Sequence, residues 1–295
     1  MSEIVFQSLA LRSQHIAKMP PASVPRLLYG TAWKKDQTHA LVKAALLAGF
    51  RGIDTANQPK HYNEPQIGSA LQAVAQTFPR ESLFIQTKFT PISGQDPNNV
   101  PYDPSAPLEE QVKESFMKSL ENLQTSYVDS YVLHSPLHSL QDTLRVWRVM
   151  EDFHSKKLIR YLGISNAYSL PFLQHLHAQA RVKPKFIQNR FHDETEYDID
   201  VRSWCRSPDV DITYQSFWTL TANPHVLQSD IVRSVALKKG CTVEQVLFKC
   251  LIQSGILPLT GTRSEVHMKQ DLSVLEWEDW EEDLVDRVMS LVGER

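Results

Sequence analysis

Short apolar runs alternate along the chain with segments whose apolar residues recur at helical spacing. We predict eight strands from these runs: RLLYGTA from Arg26, GIDTA from Gly52, LFIQTKF from Leu83, SYVLHS from Ser130, YLGISN from Tyr161, FIQNRF from Phe186, DITYQS from Asp211 and GILPLTG from Gly255. The segments between them carry apolar residues at steps of three and four, as in the series Val112, Phe116, Leu120 and Leu123, which marks one helix face. Eight strand–helix units favour an α/β fold, a (β/α)8 TIM barrel that forms a single domain over residues 1–295.

An open, doubly wound sheet is the competing architecture. It would bind a dinucleotide through a G-x-G-x-x-G turn, and the chain has no such motif and only 10 glycines. One long segment, residues 90–107, is rich in Pro, Asn, Asp and Ser, which favour turns. It follows the third strand, so in a barrel it overhangs the end where the strands terminate, either as a functional loop or as a surface insertion.

Composition and charge exclude several classes of protein function. The formal net charge is -3 and the basic residues are scattered, whereas a nucleic-acid surface needs a clustered basic face. No apolar run approaches the ~20 residues of a membrane span, and the first residues, with an early Glu3, lack the pattern of a secretory signal. The three cysteines form no pair with metal-ligand spacing, and their small, odd number suits a reducing compartment. We therefore expect a cytoplasmic protein without nucleic-acid or membrane partners and without a metal site.

Reactive polar residues follow the predicted strands at their carboxyl ends. In a barrel these ends meet at one face, where the chemistry takes place. The residues concerned are Asp54-Thr55, Lys88, His134-Ser135, Ser165-Asn166, Gln188 with Arg190-Phe191-His192, and Tyr214-Gln215-Ser216. A carboxylate, an ammonium and an imidazole on three consecutive strand ends indicate an active site, with a structural ion-pair network as the other interpretation.

The chain resembles the aldo-keto reductases from about Leu28 to about Leu272. Residues Gly49–Gly68 resemble the second-strand motif of that family, in which Asp-Thr-Ala is followed by Tyr and Asn-Glu. LFIQTKF resembles its lysine strand, SYVDSYVLHSP its histidine strand and YLGISNAYS its Gly-x-Ser-Asn strand. The resemblance implies a TIM barrel that reduces aldehydes or ketones to alcohols with NADPH, NADH being the rival cofactor. We expect a small carbonyl substrate and a monomer or weak oligomer.

The resemblance implies a catalytic tetrad of Asp54, Tyr62, Lys88 and His134. Carbonyl reduction needs a hydride at carbon and a proton at oxygen. A phenol has an ordinary pKa of about 10, which the ammonium of Lys88 would lower. Asp54 would hold that ammonium in place, and His134 would donate a hydrogen bond to the substrate oxygen. We predict that Tyr62 is the proton donor.

The loop after the second strand departs from the family pattern. The family usually has one residue between Tyr and Asn-Glu, whereas Tyr62 directly precedes Asn63, and His61 occupies the usual tyrosine position. Either the loop is remodelled and Tyr62 still enters the site, or His61 is the acid. We favour Tyr62, because a lysine beside an imidazole that titrates near neutral pH would have little to do.

The cofactor contacts also follow from the resemblance. Ser165, Asn166 and Gln188 resemble the trio that hydrogen-bonds the nicotinamide carboxamide. Gln215 stands where the family stacks an aromatic ring on the nicotinamide, and the possible substitutes are Tyr214, Phe217 and Trp218. The full set of expected cofactor-binding residues is Thr31, Asp54, Ser165, Asn166, Gln188, Gln215, Ser216, Thr262, Arg263, Ser264 and Asp271.

The segment after the eighth strand differs from the family's 2′-phosphate pattern of Pro-Lys-Ser, then Arg and Asn. Gly261 stands at the lysine position, His267 at the arginine position and Asp271 at the asparagine position. Arg263 precedes a predicted helix start at Ser264, and helix N-termini favour anions. We therefore expect Thr262, Arg263 and Ser264 to bind the phosphate, with a solvated Arg263 as the alternative.

Trp33, after the first strand, resembles a substrate-pocket tryptophan that would share the substrate with His134, a core position being the alternative. Long-tailed members of the family close their pocket with a C-terminal loop, whereas this chain ends soon after its last predicted helix, residues 279–292, so the resemblance implies an open pocket. Two other functions compete. A nicotinamide-binding barrel with a regulatory or scaffold role is disfavoured by the complete tetrad. A metal-dependent hydrolase using Asp54, His134 and His192 is disfavoured because no strand carries a His-x-His pair.

Overall fold

Eight parallel strands close into a barrel in the computed structural model, which describes residues 23–294. The strands are β1 Leu28–Gly30, β2 Gly52–Asp54, β3 Phe84–Phe89, β4 Val128–Leu133, β5 Ile159–Ser165, β6 Phe186–Arg190, β7 Thr213–Phe217 and β8 Leu257–Thr260. Each strand pairs with the next, and β1 pairs with β8 through the register Leu28↔Leu259. The predicted TIM barrel is confirmed. Residues 1–22, where the sequence predicts no secretory signal, lie outside the described residues.

Helices surround the barrel at the predicted positions between the strands. They are α1 Thr38–Ala48, α2 Glu64–Ala73, α3 Leu108–Leu123, α4 Leu140–Ser155, α5 Leu170–Gln179, α6 Ile199–Cys205, α7 Pro224–Leu227, α8 Asp230–Lys239, α9 Val243–Gln253, α10 Glu265–Ser273 and α11 Glu282–Met289. The series from Val112 to Leu123 forms the buried face of α3, as the spacing predicts. Over residues 23–294, the helices are too short or too polar to cross a bilayer.

The barrel interior changes from apolar to polar along the strands. Leu28, Phe84, Phe186 and Leu257, each the first residue of its strand, pack together as a separate buried cluster. Side chains two residues apart on a strand share one face, so the next inward residues of β3 and β6 are Gln86 and Gln188. The apolar cluster fills the N-terminal end of the barrel and leaves the polar residues toward the C-terminal end, where the predicted site lies.

Four buried polar side chains form a hydrogen-bonded layer above the apolar cluster. Gln86 Nε2 donates to Asp54 Oδ1 at 2.7 Å and to Gln215 Oε1 at 2.8 Å. Gln188 Nε2 donates to the same two acceptors at 3.0 and 2.9 Å. The layer joins four different strands and satisfies polar groups that would otherwise be costly to bury.

Candidate active site

The ion pair between Lys88 and Asp54 forms the floor of the candidate site. Lys88 Nζ donates to Asp54 Oδ1 at 2.7 Å, to Asp54 Oδ2 at 2.8 Å and to the carbonyl oxygen of Thr55 at 2.7 Å. Both side chains are buried. Burial lowers the pKa of Lys88, and the charge of Asp54 opposes that decrease. The three protons of the ammonium are therefore all directed at fixed acceptors.

Tyr62 lies against this ion pair. Lys88 Nζ lies 5.4 Å from the centroid of the Tyr62 ring, and the Tyr62 and His134 rings meet edge to face with centroids 6.1 Å apart. Burial, and after it the charge of Asp54, raise the pKa of the Tyr62 phenol above its ordinary value. The expected lowering by Lys88 is thus outweighed, and the phenol is protonated at neutral pH.

His134 is held as a neutral imidazole. Its Nδ1 lies 2.7 Å from Thr90 Oγ1. Burial, followed by the charges of Lys88 and His61, lowers the pKa of His134 well below its ordinary value. Asn166 Nδ2 donates to the main-chain oxygen of His134 at 2.9 Å, which ties the end of β4 to the end of β5.

His61 occupies a different place from Tyr62. Its Nδ1 lies 2.8 Å from Gln58 Oε1, and its ring lies against the Trp33 ring with centroids 3.8 Å apart. Gln58 Nε2 donates to Gly94 O at 2.6 Å, which fixes the orientation of the amide and makes His61 Nδ1 the donor. Trp33 is 51% exposed, so it does not occupy the core position that was the alternative for it. The His61 ring therefore lies beside Trp33, whereas the Tyr62 ring lies beside Lys88.

The ends of β5 and β6 bring together the three residues that are expected to hydrogen-bond the nicotinamide carboxamide. Ser165 Oγ donates to Gln188 O at 2.6 Å, and Asn166 Nδ2 lies 3.3 Å from Ser165 Oγ. Asn166 has a left-handed backbone with φ of 52°, a conformation that Asn tolerates better than most residues. Because Gln188 also donates to Asp54, this group is connected directly to the ion pair of Asp54 and Lys88.

The residues of β7 point in different directions. Gln215 lies inside the barrel in the polar layer, and Ser216 Oγ lies 2.9 Å from Thr219 Oγ1. Tyr214 is buried and donates to Asp198 Oδ2 at 2.7 Å. Trp218 is 49% exposed and follows the strand directly.

The loop after β8 lies beside the loop after β1. Arg263 is exposed and its Nη2 donates to Trp33 O at 2.6 Å. Ser264 caps α10 by accepting a hydrogen bond from the main chain of His267, and Thr262 O accepts one from Tyr29 Oη at 2.9 Å.

Two further residues of the expected cofactor set are buried and hydrogen-bonded within the protein. Thr31 Oγ1 donates to Asp54 O at 2.8 Å. Asp271 accepts a hydrogen bond from Thr260 Oγ1 at 2.8 Å, and burial raises the pKa of this carboxyl to about 6.

The aldo/keto reductase family model matches residues 27–292. The chain belongs to this family. Among curated relatives, it is 28% identical to glyoxal reductase of Bacillus subtilis over 85% of this chain and 82% of the relative. It is 27% identical to methylglyoxal reductase DkgA of Yersinia pestis over 89% and 87% of the two chains. A solved aldo-keto reductase from a deep-sea metagenome library, 24% identical, superposes with a TM-score of 0.77 over 92% of this chain and 93% of its own, and so shares the fold.

The sequence analysis missed several residues that organise the site of this aldo-keto reductase. Gln86 lies two positions before Lys88 on β3, and that alternation alone could have placed it on the inner face. Thr90, whose hydroxyl contacts His134, directly follows the same strand. The segment 90–107 is packed against the loop after β2, because Gln95 Nε2 donates to Asn57 O at 3.0 Å and Gln58 Nε2 donates to Gly94 O at 2.6 Å.

Asp54, His134 and His192, the ligands of the competing metal-hydrolase hypothesis, form no metal-binding group among the described residues. Across residues 23–294, no group of three or more His, Cys, Asp or Glu side chains is arranged to hold a metal ion. His134 is hydrogen-bonded to Thr90, and His192 Nδ1 lies 3.8 Å from Glu194.

The chain is an oxidoreductase of the aldo-keto reductase type.

Proposed function

We propose that this aldo-keto reductase reduces small aldehydes or ketones to alcohols with NADPH or NADH, and that Tyr62 donates the proton. The family implies a nicotinamide cofactor. One observation carries the proposal for Tyr62: its ring, and not that of His61, lies beside both Lys88 and His134. A cytoplasmic location and a monomeric or weakly associated state stay predictions.

The side chains at the strand ends fit a nicotinamide cofactor. A carboxamide offers two donors and an acceptor, and Ser165, Asn166 and Gln188 supply hydroxyl and amide groups of both kinds at adjacent strand ends. Trp218 is 49% exposed and directly follows β7, and it is the aromatic residue that we propose to stack on the nicotinamide, in place of the Arg190 guanidinium 4.6 Å from its ring centroid. When bound, the reduced cofactor supplies the hydride that reaches the carbonyl carbon.

The proton comes from the chain itself. A phenol whose pKa is above its ordinary value carries its proton at neutral pH, as a general acid must before the reaction starts. As the carbonyl oxygen gains negative charge, the O–H bond of Tyr62 breaks and the proton moves to that oxygen. The ammonium of Lys88 stabilises the resulting phenolate electrostatically. His134, neutral and held at Nδ1 by Thr90, orients the oxygen with the hydrogen on Nε2.

The proposed substrates are small carbonyl compounds. Two relatives are named for the reduction of glyoxal and methylglyoxal, and Trp33 presents an exposed ring at the mouth of the barrel. NADPH is the proposed first cofactor because Arg263 lies at the start of α10, where an anion is favoured.

The test compares Tyr62→Phe with wild type in steady-state oxidation of NADPH by a panel that includes glyoxal and methylglyoxal. The variant removes the hydroxyl and keeps the ring, so we expect kcat to fall by about 100-fold or more. Cofactor affinity, measured by quenching of tryptophan fluorescence, should change little.

His61→Phe is the matched control, because it keeps a ring against Trp33 and removes the imidazole. Its kcat should stay within a few-fold of wild type. Retained turnover in Tyr62→Phe together with loss in His61→Phe would reassign the acid to His61. A wild-type protein that binds the cofactor and turns over no carbonyl of the panel would favour the scaffold role instead.

A further inference from the structure

An arginine at the end of β6 stands at the mouth of the barrel without a close acidic partner. Arg190 follows Gln188 by two residues on β6, so its side chain leaves the same face of the strand, one step closer to solvent. Among the described residues, it forms hydrogen bonds through its main chain, with Tyr168 Oη and Thr195 Oγ1. Within residues 23–294, no carboxylate lies within 4.0 Å of its guanidinium. The positive charge of Arg190 is therefore not neutralised by an ion pair.

The guanidinium lies against an aromatic ring that the main chain holds in place. It is 4.6 Å from the centroid of the Trp218 ring. Trp218 has a φ of 60°, which is uncommon for a bulky residue, and its main-chain oxygen accepts a hydrogen bond from Ala222 N at 3.0 Å. Arg190 is itself paired with Phe217, the neighbour of Trp218, in the sheet register. Both residues are anchored through the main chain, so the charge stays near Trp218 when the arginine side chain turns away.

This charge lies next to the place proposed for the nicotinamide ring. Trp218 is the proposed stacking partner of that ring, and Gln188, two residues before Arg190 on β6, is one of the residues proposed to hold its carboxamide. A ring bound between these contacts displaces the guanidinium from the face of Trp218 and leaves it close by. The nicotinamide ring is uncharged when reduced and carries one positive charge when oxidised. A neighbouring guanidinium therefore repels the oxidised ring and has no such effect on the reduced one.

We propose that Arg190 makes the site discriminate between the two redox states of the cofactor, so that the reduced form binds more tightly than the oxidised form. This inference rests on the proposed use of NADPH or NADH and on the proposed stacking against Trp218. Its consequence is weak product inhibition, because the oxidised cofactor leaves more readily than the reduced cofactor that replaces it. The same repulsion opposes the positive charge that develops on the ring as hydride leaves, so Arg190 assists product release and not the chemical step.

The test measures the dissociation constants of NADP⁺ and NADPH, and of NAD⁺ and NADH, by calorimetry for wild type and Arg190→Met. Methionine can still lie on the Trp218 ring and carries no charge. We expect the ratio of the constants, oxidised over reduced, to fall by about 5-fold or more in the variant, because one unit of repulsion beside the ring is lost. The phosphates and the adenosine are the same in both forms, so any contact of Arg190 with them cancels in the ratio.

Arg190→Lys and Arg233→Met are the matched controls. Lysine keeps the charge at position 190 and should retain the wild-type ratio. Arg233 is an exposed residue of α8, so its replacement changes the net charge equally and should leave the ratio unchanged. An unchanged ratio in Arg190→Met, or a lysine variant that behaves like the methionine variant, would overturn the inference. An equal loss of affinity for both forms would also contradict it, because Arg190 would then hold an anionic part of the cofactor. Absence of any cofactor binding in wild type would instead refute the proposed function.

Discussion

Asp54 connects the interior of the barrel to the reacting end. One of its oxygens, Oδ1, accepts hydrogen bonds from Lys88, Gln86 and Gln188. Three donors hold the carboxylate in one orientation, and the carboxylate in turn holds the ammonium. The same negative charge contributes to the raised pKa of Tyr62. The position of Asp54 therefore fixes the geometry of the ion pair and adds to the larger effect of burial, which keeps the phenol protonated.

The buried carboxyl of Asp271 should lower the stability of the fold at neutral pH. Its folded-state pKa of about 6 exceeds the ordinary value of 3.8, chiefly because of burial. A carboxyl with a raised pKa destabilises the fold at pH values above that pKa, and the cost is relieved as the pH falls through 6 toward 4. Asp271→Asn should therefore increase the free energy of unfolding by roughly 2–3 kcal/mol at pH 7.5, because the amide oxygen can still accept from Thr260.

Urea denaturation at pH 7.5 and pH 5 measures this effect. The gain should shrink by about half at pH 5, where part of the wild-type carboxyl is already protonated. An equal gain at both pH values, or a loss of stability at pH 7.5, would contradict the assignment of the cost to the ionised carboxylate.

Helix α2 follows the site directly and depends on close packing. Asn63, next to Tyr62, caps α2 by accepting a hydrogen bond from the main chain of Gln66 at 3.2 Å. Farther along, Gly68 faces α3 so closely that an added Cβ would lie 2.1 Å from Asn122 O. The glycine allows α2 to pack against α3, and that contact fixes the helix that begins two residues after Tyr62.

Gly68→Ala is therefore expected to destabilise the protein. Alanine favours a helix over glycine by about 1 kcal/mol, but the methyl group would meet main-chain atoms of Asn122 and Leu123. Overpacking of this kind typically costs about 1–3 kcal/mol, and main-chain contact places this case at the upper end. The measurement is the free energy of unfolding in urea.

Gly240→Ala, just after the end of α8, is the comparison variant for Gly68→Ala. Its backbone φ is 66° and nothing lies within 4 Å of an added Cβ, so only the left-handed conformation opposes the change, at about 1 kcal/mol. A Gly68→Ala variant as stable as wild type, or less affected than Gly240→Ala, would show that the two helices can separate at low cost.

The barrel as a whole is closed by the pairing of β1 with β8. Closure leaves every strand paired on both sides, and loss of any strand exposes two edges. We expect residues 23–294 to unfold as one unit, so that tryptophan fluorescence and far-UV circular dichroism report the same midpoint in denaturant. NADPH at 100 times its dissociation constant should stabilise the fold by about 2.7 kcal/mol and move both midpoints together.

Separated midpoints would divide the chain into independently unfolding parts and refute the prediction of a single domain. The same conclusion would follow if NADPH moved the denaturation midpoint reported by only one of the two probes. NADH, tested at the same multiple of its own dissociation constant, is the control for the general effect of ligand binding.

All eight predicted strands exist, because each is a short apolar run bounded by turn residues, which is a local property. Their ends are less well predicted: β1 has only three residues, Leu28–Gly30, of the seven in RLLYGTA. A strand ends where its partner ends, and the partners of β1 are two strands, one of them more than 200 residues away in the sequence. Alternation along β3 places Gln86 on the inner face, but no local pattern records that it bonds to Gln215, 129 residues away.

The sequence by itself determined the order of the strands and the reactive residues at their carboxyl ends, Asp54, Lys88 and His134 among them. Parallel strands of one barrel carry their ends to one face, so order along the chain is enough to gather these residues. Only the tertiary structure decided which of His61 and Tyr62 lies beside Lys88, and that Lys34 contacts Gly261. These outcomes depend on packing between segments distant in sequence, 227 residues apart for Lys34 and Gly261, and no local pattern records such contacts.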